Sequence, residues 1–292
     1  MKPLLQFDET LLDNKDQFKD DFFKRKSLRH ADKPLELNDH VAKDYLFPTL
    51  YSDVTCAIGI FMCNYDKAVQ LMPHPLMKPV KMPQKRSLVV FSCYIYKNVL
   101  GIPSYNEIAM TIPVLINPSF SPPVLPMIAE KMFPNFGYHV FSMPVTSLEN
   151  QIRGNKIWGL PKVTQQIDMK KQGDYFVTTA MEESGETYFE LSIPMEGKET
   201  HFDVSSNLYS VLDGELLQSE TNFKADFNMN KYMKKLWNKN NKPNHEFLKL
   251  SDTPSGKLLQ QLEMEQHPFQ TRFAEGMNSS FDLSNPNYKA PK

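Results

Sequence analysis

The chain has 292 residues, of which 41% are hydrophobic and 23% are charged, and its 33 basic residues are balanced by 34 acidic ones. This length allows a large buried core, and the balanced charge disfavours a nucleic-acid-binding protein, which usually carries a basic excess or stripe. No run of about 18 apolar residues occurs, and the stretch Met1–Asp16 lacks the apolar segment of a signal peptide. We therefore expect a cytoplasmic protein with no membrane span and no nucleic-acid partner.

Residues that usually bind metals or nucleotides show no suitable spacing. The cysteines Cys56, Cys63 and Cys93 match no zinc pattern, and no two histidines stand four residues apart. Neither of the common glycine-rich phosphate loops occurs. We expect no metal and no cofactor, and we interpret the cysteines as buried, reduced thiols of the core.

The composition divides the chain into three zones. We predict a polar N-terminal extension at residues 1–45, a central domain at 46–225 and a helical or irregular C-terminal extension at 226–292. The extensions contain two candidate helices, around Lys15–Lys26 and Gly256–Glu265. The tail Asn278–Lys292 has the composition of a loose terminus.

The central zone is predicted to consist mainly of short strands, because β-branched and aromatic residues cluster between turn signals. The predicted strands are Asp53–Cys63, Leu88–Val99, Ile108–Ile116, Gly137–Val145, Val163–Met169, Tyr175–Met181 and Glu186–Ile193. Short helices are predicted at Asp66–Leu71, at Val124–Met132 and at Thr146–Arg153, the last with Thr146 as N-cap and Gly154 as its end. Together they favour an α+β protein with a mainly antiparallel β-barrel or sandwich and short peripheral helices.

The segment Thr146–Lys162 carries the most chemical information. After the predicted helix, the sequence Trp158–Pro161 leads directly into Lys162. Pro161 fixes its own φ and favours an extended Leu160, so the backbone presents Lys162 stiffly. Its apolar neighbours favour burial, which lowers the pKa of a lysine because it disfavours the ammonium ion. A neutral amine can form a Schiff base with a ketone or aldehyde; the alternative is a surface lysine after a turn.

A second candidate is Glu107, which follows Tyr105 and Asn106 at the start of an apolar strand. A carboxylate in that position needs a partner or solvent. It could orient an amine or transfer protons, or it could be an ordinary acid at the start of a strand.

These segments resemble the signature of the acetoacetate decarboxylase superfamily. Met143–Ser147 followed by Gly154–Lys162 is similar to a Pro-Val-Thr strand end, a short helix and a glycine-led segment that ends in Trp-Gly-aromatic-Pro-Lys. Tyr105–Glu107 with Ile112–Val114 resembles the family's Tyr-x-Glu strand, and Leu71–Leu76 resembles its Pro-x-Pro-Leu helix end. The three matches occur in family order.

The resemblance implies a barrel or cone of the acetoacetate decarboxylase type with a buried apolar pocket and a homo-oligomeric assembly. It implies that Lys162 is the Schiff-base lysine and that Glu107 is the glutamate of the pocket. A small keto acid would then be bound by Trp158, Leu160, Tyr105, Ser92 and Arg153.

Several positions depart from the family pattern. Val163 replaces a second lysine after the nucleophile, and Leu160 replaces an aromatic residue. An ungapped alignment puts Ser92 and Val54 where the family carries a second pocket glutamate and an arginine. We therefore expect a divergent member in which burial alone lowers the pKa of Lys162, and whose acetoacetate-like substrate need not be acetoacetate itself.

The preferred function is a Schiff-base-forming lyase that decarboxylates a β-keto acid. Two alternatives keep the same pocket: an aldolase or dehydratase that uses the same lysine, and a non-catalytic barrel that binds a small molecule. A third class is an interaction protein in which Lys15–Lys26 and Asn230–Lys242 contact a membrane or an acidic partner.

Overall fold

The computed structural model describes residues 1–237 and 243–291. In this part of the chain the helices are short: α1 (Asp21–Lys24), α2 (Tyr65–Gln70), α3 (Leu125–Ile128), α4 (Leu148–Trp158) and α5 (Pro254–Gln260), with 3₁₀ turns at Lys15–Gln17, Glu130–Met132 and Met233–Leu236. The strands are β1 (Arg29–His30), β2 (Leu35–Glu36), β3 (Ala42–Lys43), β4 (Leu46–Phe47), β5 (Thr49–Asn64), β6 (Met77–Pro79), β7 (Arg86–Tyr96), β8 (Asn98–Val99), β9 (Tyr105–Ile116), β10 (Phe136–Val145), β11 (Lys162–Thr164), β12 (Ile167–Gln172), β13 (Tyr175–Met181), β14 (Thr187–Pro194), β15 (Lys198–Leu212), β16 (Glu215–Lys231), β17 (Leu248–Leu250) and β18 (Gln270–Ser284).

Seven strands close into a barrel in the order β9, β7, β5, β18, β16, β15 and β10. Strand β10 closes the ring because it pairs with both β9 and β15. Its pairing with β15 is parallel, whereas the other neighbours in the ring are antiparallel. The prediction of a mainly antiparallel β-barrel with short helices is confirmed.

A second sheet covers one side of the barrel. It has the strand order β12, β13, β14 and β17 and packs on the outer faces of β5, β7 and β9. Phe91 and Phe189 meet at this interface with ring centroids 5.2 Å apart. Because β9 is covered on both faces, all of its residues are buried: Glu107 and Ala109 face the barrel interior, whereas Ile108 packs against the second sheet.

Helix α4 differs from the prediction at both ends. The hydroxyl of Ser147, rather than that of Thr146, caps it by accepting a hydrogen bond from the Asn150 N–H at 3.3 Å. Thr146 is unavailable because its hydroxyl accepts the Asn106 N–H. The helix continues through Gly154 and ends at Gly159, whose φ of 62° is left-handed.

Three further predictions need correction. The strand predicted at Val163–Met169 is two strands, because β11 joins β10 whereas β12 belongs to the second sheet. The region Lys15–Lys26 contains one 3₁₀ turn and one turn of α-helix instead of a continuous helix. Residues 226–292, expected to be helical or irregular, supply β18, so the tail predicted to be loose is a barrel strand as far as Ser284.

The N-terminal region is joined to α4 by buried charges. Lys43 Nζ donates to both carboxylate oxygens of Glu149 at 3.0 Å, and the Tyr45 hydroxyl donates to the same carboxylate. The division at residue 45 therefore separates residues that form one buried cluster. None of the described helices is long and apolar enough to span a membrane. Residues 238–242 of the segment Asn230–Lys242 lie outside the described residues.

Candidate active site

Lys162 and Glu107 form a buried ion pair. The Nζ atom of Lys162 lies 2.6 Å from Oε2 of Glu107, and the two side chains are only 7% and 3% exposed. Strand pairing explains the meeting, because Lys162 is opposite Met143 and Glu107 is opposite Val145 on the shared neighbour β10. The two predicted catalytic residues, separated by 55 positions in the sequence, are thus brought together by the fold.

Helix α4 shapes the path of the lysine side chain. A Cβ atom at Gly154 would overlap Lys162 Cδ and Cε, so the lysine stem crosses the helix where there is no side chain. At the end of α4, a Cβ at Gly159 would collide with the carbonyl of Val211. These two glycines allow the helix to pack closely against the lysine and to turn into Leu160 and Pro161.

The pKa of Lys162 is lowered from its ordinary value, and burial is the main cause. The carboxylate of Glu107 opposes this shift, whereas the positive charge of Arg153 adds to it. The expectation that burial acts alone is therefore incomplete, because α4 places a second cation near the amine. The pair can lose the lysine proton more readily than a solvated lysine.

Tyrosines support the carboxylate side of the pair. The Tyr96 hydroxyl donates to Glu107 Oε1 at 3.2 Å, and the Tyr96 ring packs on Tyr51 and Tyr105 with centroids 4.5 and 4.9 Å apart. Burial raises the pKa of Tyr51 to about 12 and also raises the pKa of Tyr96 well above its ordinary value, so both remain protonated at neutral pH. Glu107 is consequently held by two donors, one on each oxygen.

The ion pair opens into a cavity inside the barrel. Its empty volume is about 1260 Å³ including the mouth, and its walls are mainly apolar. Of the predicted substrate-binding residues, Ser92, Trp158, Leu160 and Arg153 line it. Tyr105 does not, which corrects that prediction: it is 1% exposed and its ring lies 5.8 Å from Lys162 Nζ, so it supports the site from behind.

Arg153 is buried although it lies near the end of a helix. Its guanidinium group stacks on the ring of Tyr45 at 4.4 Å and donates to Asn150 Oδ1 and Thr49 Oγ1, each at 3.0 Å. Its Nε atom is buried without a hydrogen-bond partner. A buried donor of this kind at a cavity wall suits a ligand with an acceptor oxygen.

Comparison of the sequence with protein families identifies the fold's relatives. The sequence model of the acetoacetate decarboxylase (ADC) family matches residues 32–213. The chain belongs to the acetoacetate decarboxylase family. No curated protein sequence matches it significantly.

Solved structures of acetoacetate decarboxylase-like proteins share the barrel. The acetoacetate decarboxylase from Legionella pneumophila subsp. pneumophila str. Philadelphia 1 has a TM-score of 0.56 at 13% identity, over 87% of this chain and 91% of that one. Another acetoacetate decarboxylase structure gives 0.52 at 13% identity, over 81% and 87%. The enduracididine biosynthesis enzyme MppR, complexed with the condensation product of pyruvate and imidazole 4-carboxaldehyde, gives 0.54 at 11% identity, over 82% and 88%. At these identities the likeness concerns the fold.

The positions that depart from the acetoacetate decarboxylase pattern fall in different surroundings. Val163 is 53% exposed, so the position after Lys162 points away from the cavity. Val54 is fully buried among apolar residues of the barrel interior. Ser92 lies on the cavity wall, where it places a hydroxyl instead of the acid expected from the family pattern.

Sequence reasoning missed Tyr51, Tyr96 and Arg272, which also line the cavity. Tyr96 alternates with Tyr94 in β7, a pattern visible in the sequence, whereas Tyr51 of β5 has no such aromatic neighbour. Arg272 is part of β18, in a region that we had interpreted as polar and irregular. The segment Thr271–Ala274 reads Thr-Arg-Phe-Ala, which shows no regular alternation of apolar residues, so no local signal identifies this strand.

Proposed function

We propose that this chain is a Schiff-base-forming lyase that decarboxylates a β-keto acid, with Lys162 as the nucleophile. The observation that carries the proposal is the buried Lys162–Glu107 pair, at 2.6 Å, on the wall of a mainly apolar cavity. Membership of the acetoacetate decarboxylase family supports an enzyme of this class. The lowered pKa of Lys162 supports an amine that becomes nucleophilic by transferring its proton to Glu107.

The reaction begins when neutral Lys162 attacks the ketone carbon, and loss of one water molecule leaves a protonated imine. The bond to the carboxylate carbon then breaks, CO₂ leaves, and its electron pair moves into the imine to give an enamine. Glu107, which gave the lysine proton to the departing water, takes up a new proton from solvent and transfers it to the enamine carbon, which becomes saturated. Addition of water finally releases the ketone and regenerates the lysine.

The other cavity residues would bind and orient the substrate. Trp158 is fixed by a hydrogen bond from its Nε1 to the Asp282 carbonyl at 2.9 Å, so with Leu160 it forms a rigid apolar wall beside the amine. Arg153 would hold the reacting carboxylate through its unpaired Nε–H while its charge keeps the amine pKa low. Ser92 would supply a hydroxyl where the family carries an acid.

A second candidate reaction uses the same imine for an aldol step or a dehydration. Ser92 favours this candidate, because loss of a pocket carboxylate changes the groups available for proton transfer. The structural neighbour MppR holds a condensation product of pyruvate, which shows that a barrel of this fold accommodates a ligand of that kind. A non-catalytic barrel that binds small acids is the remaining alternative, in which Lys162 stays an ordinary ion-pair partner.

Trapping of the imine tests these alternatives. The protein is incubated with acetoacetate, longer β-keto acids and pyruvate, reduced with borohydride, and weighed intact and after digestion. We expect a reduced adduct on Lys162 whose mass corresponds to the substrate without CO₂, and none in Lys162→Ala. Lys156→Ala, which removes an exposed lysine of the neighbouring helix α4, is the matched control and should keep the adduct.

The result separates the candidates. An adduct that retains the full carbon skeleton favours the aldolase or dehydratase. An adduct on another lysine, or no adduct with any keto acid in the folded protein, would overturn the proposal and favour the binding barrel. The oligomeric state remains a prediction, which light scattering of the same preparation measures.

A further inference from the structure

The cavity has a second anion-binding group, Arg272, on the wall opposite the reactive lysine. In the ring of seven strands, β18 is three strands from β9 in one direction and three strands from β10 in the other. Arg272 on β18 therefore faces the junction of β9 and β10, where Lys162 and Glu107 meet. A seven-stranded barrel is about 14 Å wide between opposite backbones, from the usual strand spacing and tilt.

Strand register confirms that Arg272 faces the interior. Arg272 is paired with Ile58 on β5, Ile58 with Ser92 on β7, and Ser92 with Ala109 on β9. Residues that are directly paired point to the same side of a sheet, and all four line the cavity. Glu107 lies two residues from Ala109, so it shares this face.

The guanidinium group of Arg272 has unused hydrogen-bonding capacity. One of its faces stacks on the ring of Phe202 at 4.9 Å, and Nη2 makes a long hydrogen bond of 3.4 Å to Gln270. Its Nε atom is buried with no partner, and within the described residues no carboxylate lies within 4 Å of it. Stacking fixes the plane of the guanidinium group, which a carboxylate can bind through two parallel donors.

The charges of the cavity are complementary to a ligand with more than one negative charge. Its described lining contains three cationic side chains, Arg153, Lys162 and Arg272, but a single carboxylate, Glu107. An acid at position 92, one of the paired positions in the row of Arg272, would have partly neutralised that guanidinium. Ser92 supplies no such charge, and the described acid that interacts with this guanidinium is Glu130, outside the lining, whose pKa the charge of Arg272 lowers although burial raises it more.

We propose that the cavity takes a keto acid with a second carboxylate, which Arg272 binds while Lys162 reacts with the ketone. The inference rests on the proposed function for the covalent step, but the anion site itself stands on the geometry of Arg272. Arg153 would bind the carboxylate next to the ketone, and a short carbon chain would connect it to the carboxylate at Arg272. Arg272 also lies beyond residues 32–213, so it is a feature of this chain rather than of the matched family region.

Matched substrates of equal chain length test the inference. We compare 3-oxoadipate with 3-oxohexanoate, and 3-oxoglutarate with 3-oxopentanoate, by CO₂ release and by borohydride trapping. The wild type should prefer the diacid at least tenfold in kcat/KM for one of the pairs. In Arg272→Met, which keeps a long apolar stem on Phe202, that preference should fall at least tenfold, and Arg272→Lys should retain part of it. Arg25→Met, which removes an exposed arginine, should leave the preference unchanged.

An unreactive pair separates the anion site from the imine chemistry. Adipate should raise the Tm of the wild type more than hexanoate does at equal concentration, and this difference should disappear in Arg272→Met. If both pairs of keto acids react at Lys162 without preference for the diacid, the inference fails while the proposed function stands. If no imine forms but adipate stabilises the protein through Arg272, the proposed function fails while the anion site stands. Equal stabilisation by adipate and hexanoate overturns the anion site.

Discussion

We expect Gly154 to control the reactivity of Lys162 only by leaving room for the lysine side chain. A methyl group at its Cα would lie 2.7 Å from Lys162 Cε and 2.9 Å from Cγ, and closer to Cδ, whereas ordinary contacts begin at 3.4 Å. In a close-packed interior the lysine stem would have to withdraw by about 1 Å. The hydrogen bond between Nζ and Glu107, now 2.6 Å long, would then be stretched or lost.

The variant Gly154→Ala should therefore separate stability from reactivity. Alanine inside a helix is favoured over glycine by roughly 0.5–1 kcal/mol, which offsets part of the steric cost. We expect the free energy of unfolding to stay within about 1 kcal/mol of the wild-type value. A misplacement of about 1 Å at a reacting atom costs roughly a hundredfold in rate, so adduct formation at Lys162 should slow by about that factor.

Two measurements decide the matter. Urea unfolding followed by circular dichroism gives the stability, and the time course of borohydride-trapped adduct gives the reactivity. Lys156→Ala, on the same helix with its Nζ bound to the Glu36 carbonyl at 2.7 Å, controls for changes to α4 that do not touch the lysine. An alanine variant that traps keto acid at the wild-type rate would refute the steric argument.

Three further predictions concern charges. Glu107 raises the pKa of Lys162 and Arg153 lowers it, so the pH midpoint of adduct formation should fall in Glu107→Gln and rise in Arg153→Met. Trapping rates measured across pH test both, and shifts of the same sign would contradict the assignment. Lys43→Met leaves Glu149 buried without its partner and should lower the free energy of unfolding by about 3–5 kcal/mol, as measured with urea. Replacing both Lys43 and Glu149 by methionine should recover most of the lost stability. That result would distinguish the loss of the ion pair from a simple loss of packing.

Much of the barrel could be predicted because its central strands are apolar on both faces. Tyr105–Ile116 lies under the second sheet, and Tyr175–Met181 belongs to that sheet. Because both strands are largely buried, they are rich in the β-branched and aromatic residues by which strands are predicted. The hairpin formed by Lys198–Leu212 and Glu215–Lys231 was not predicted, because much of it is partly exposed and polar. Its turn was nevertheless visible as Asp213-Gly214, a pair in which both residues have positive φ.

The members of the buried Lys162–Glu107 pair could be chosen from the sequence, but the surroundings of the pair could not. Lys162 and Glu107 stand in recognisable local motifs, so each could be chosen without knowing the fold. The position of the Arg153 charge near the amine depends on how α4 packs against Lys162. That helix continues as far as Gly159, five residues beyond its predicted end. The position of Arg272 in the cavity depends on the pairing of β18 with β5, which are more than two hundred residues apart in the sequence. No local pattern encodes that pairing.

The position of β18 has a consequence for synthesis of the protein. Strand β5 is made about two hundred residues before β18, yet β18 is the neighbour that closes the barrel against it. Until residue 284 has left the ribosome, β5 and β16 each have an unpaired edge, the kind of edge that pairs readily with other chains. Pairing over such a distance is slow, because the ends of a long loop must first meet. The cavity inside the barrel is therefore expected to form late in folding, after the nascent chain has passed through an open, aggregation-prone half barrel.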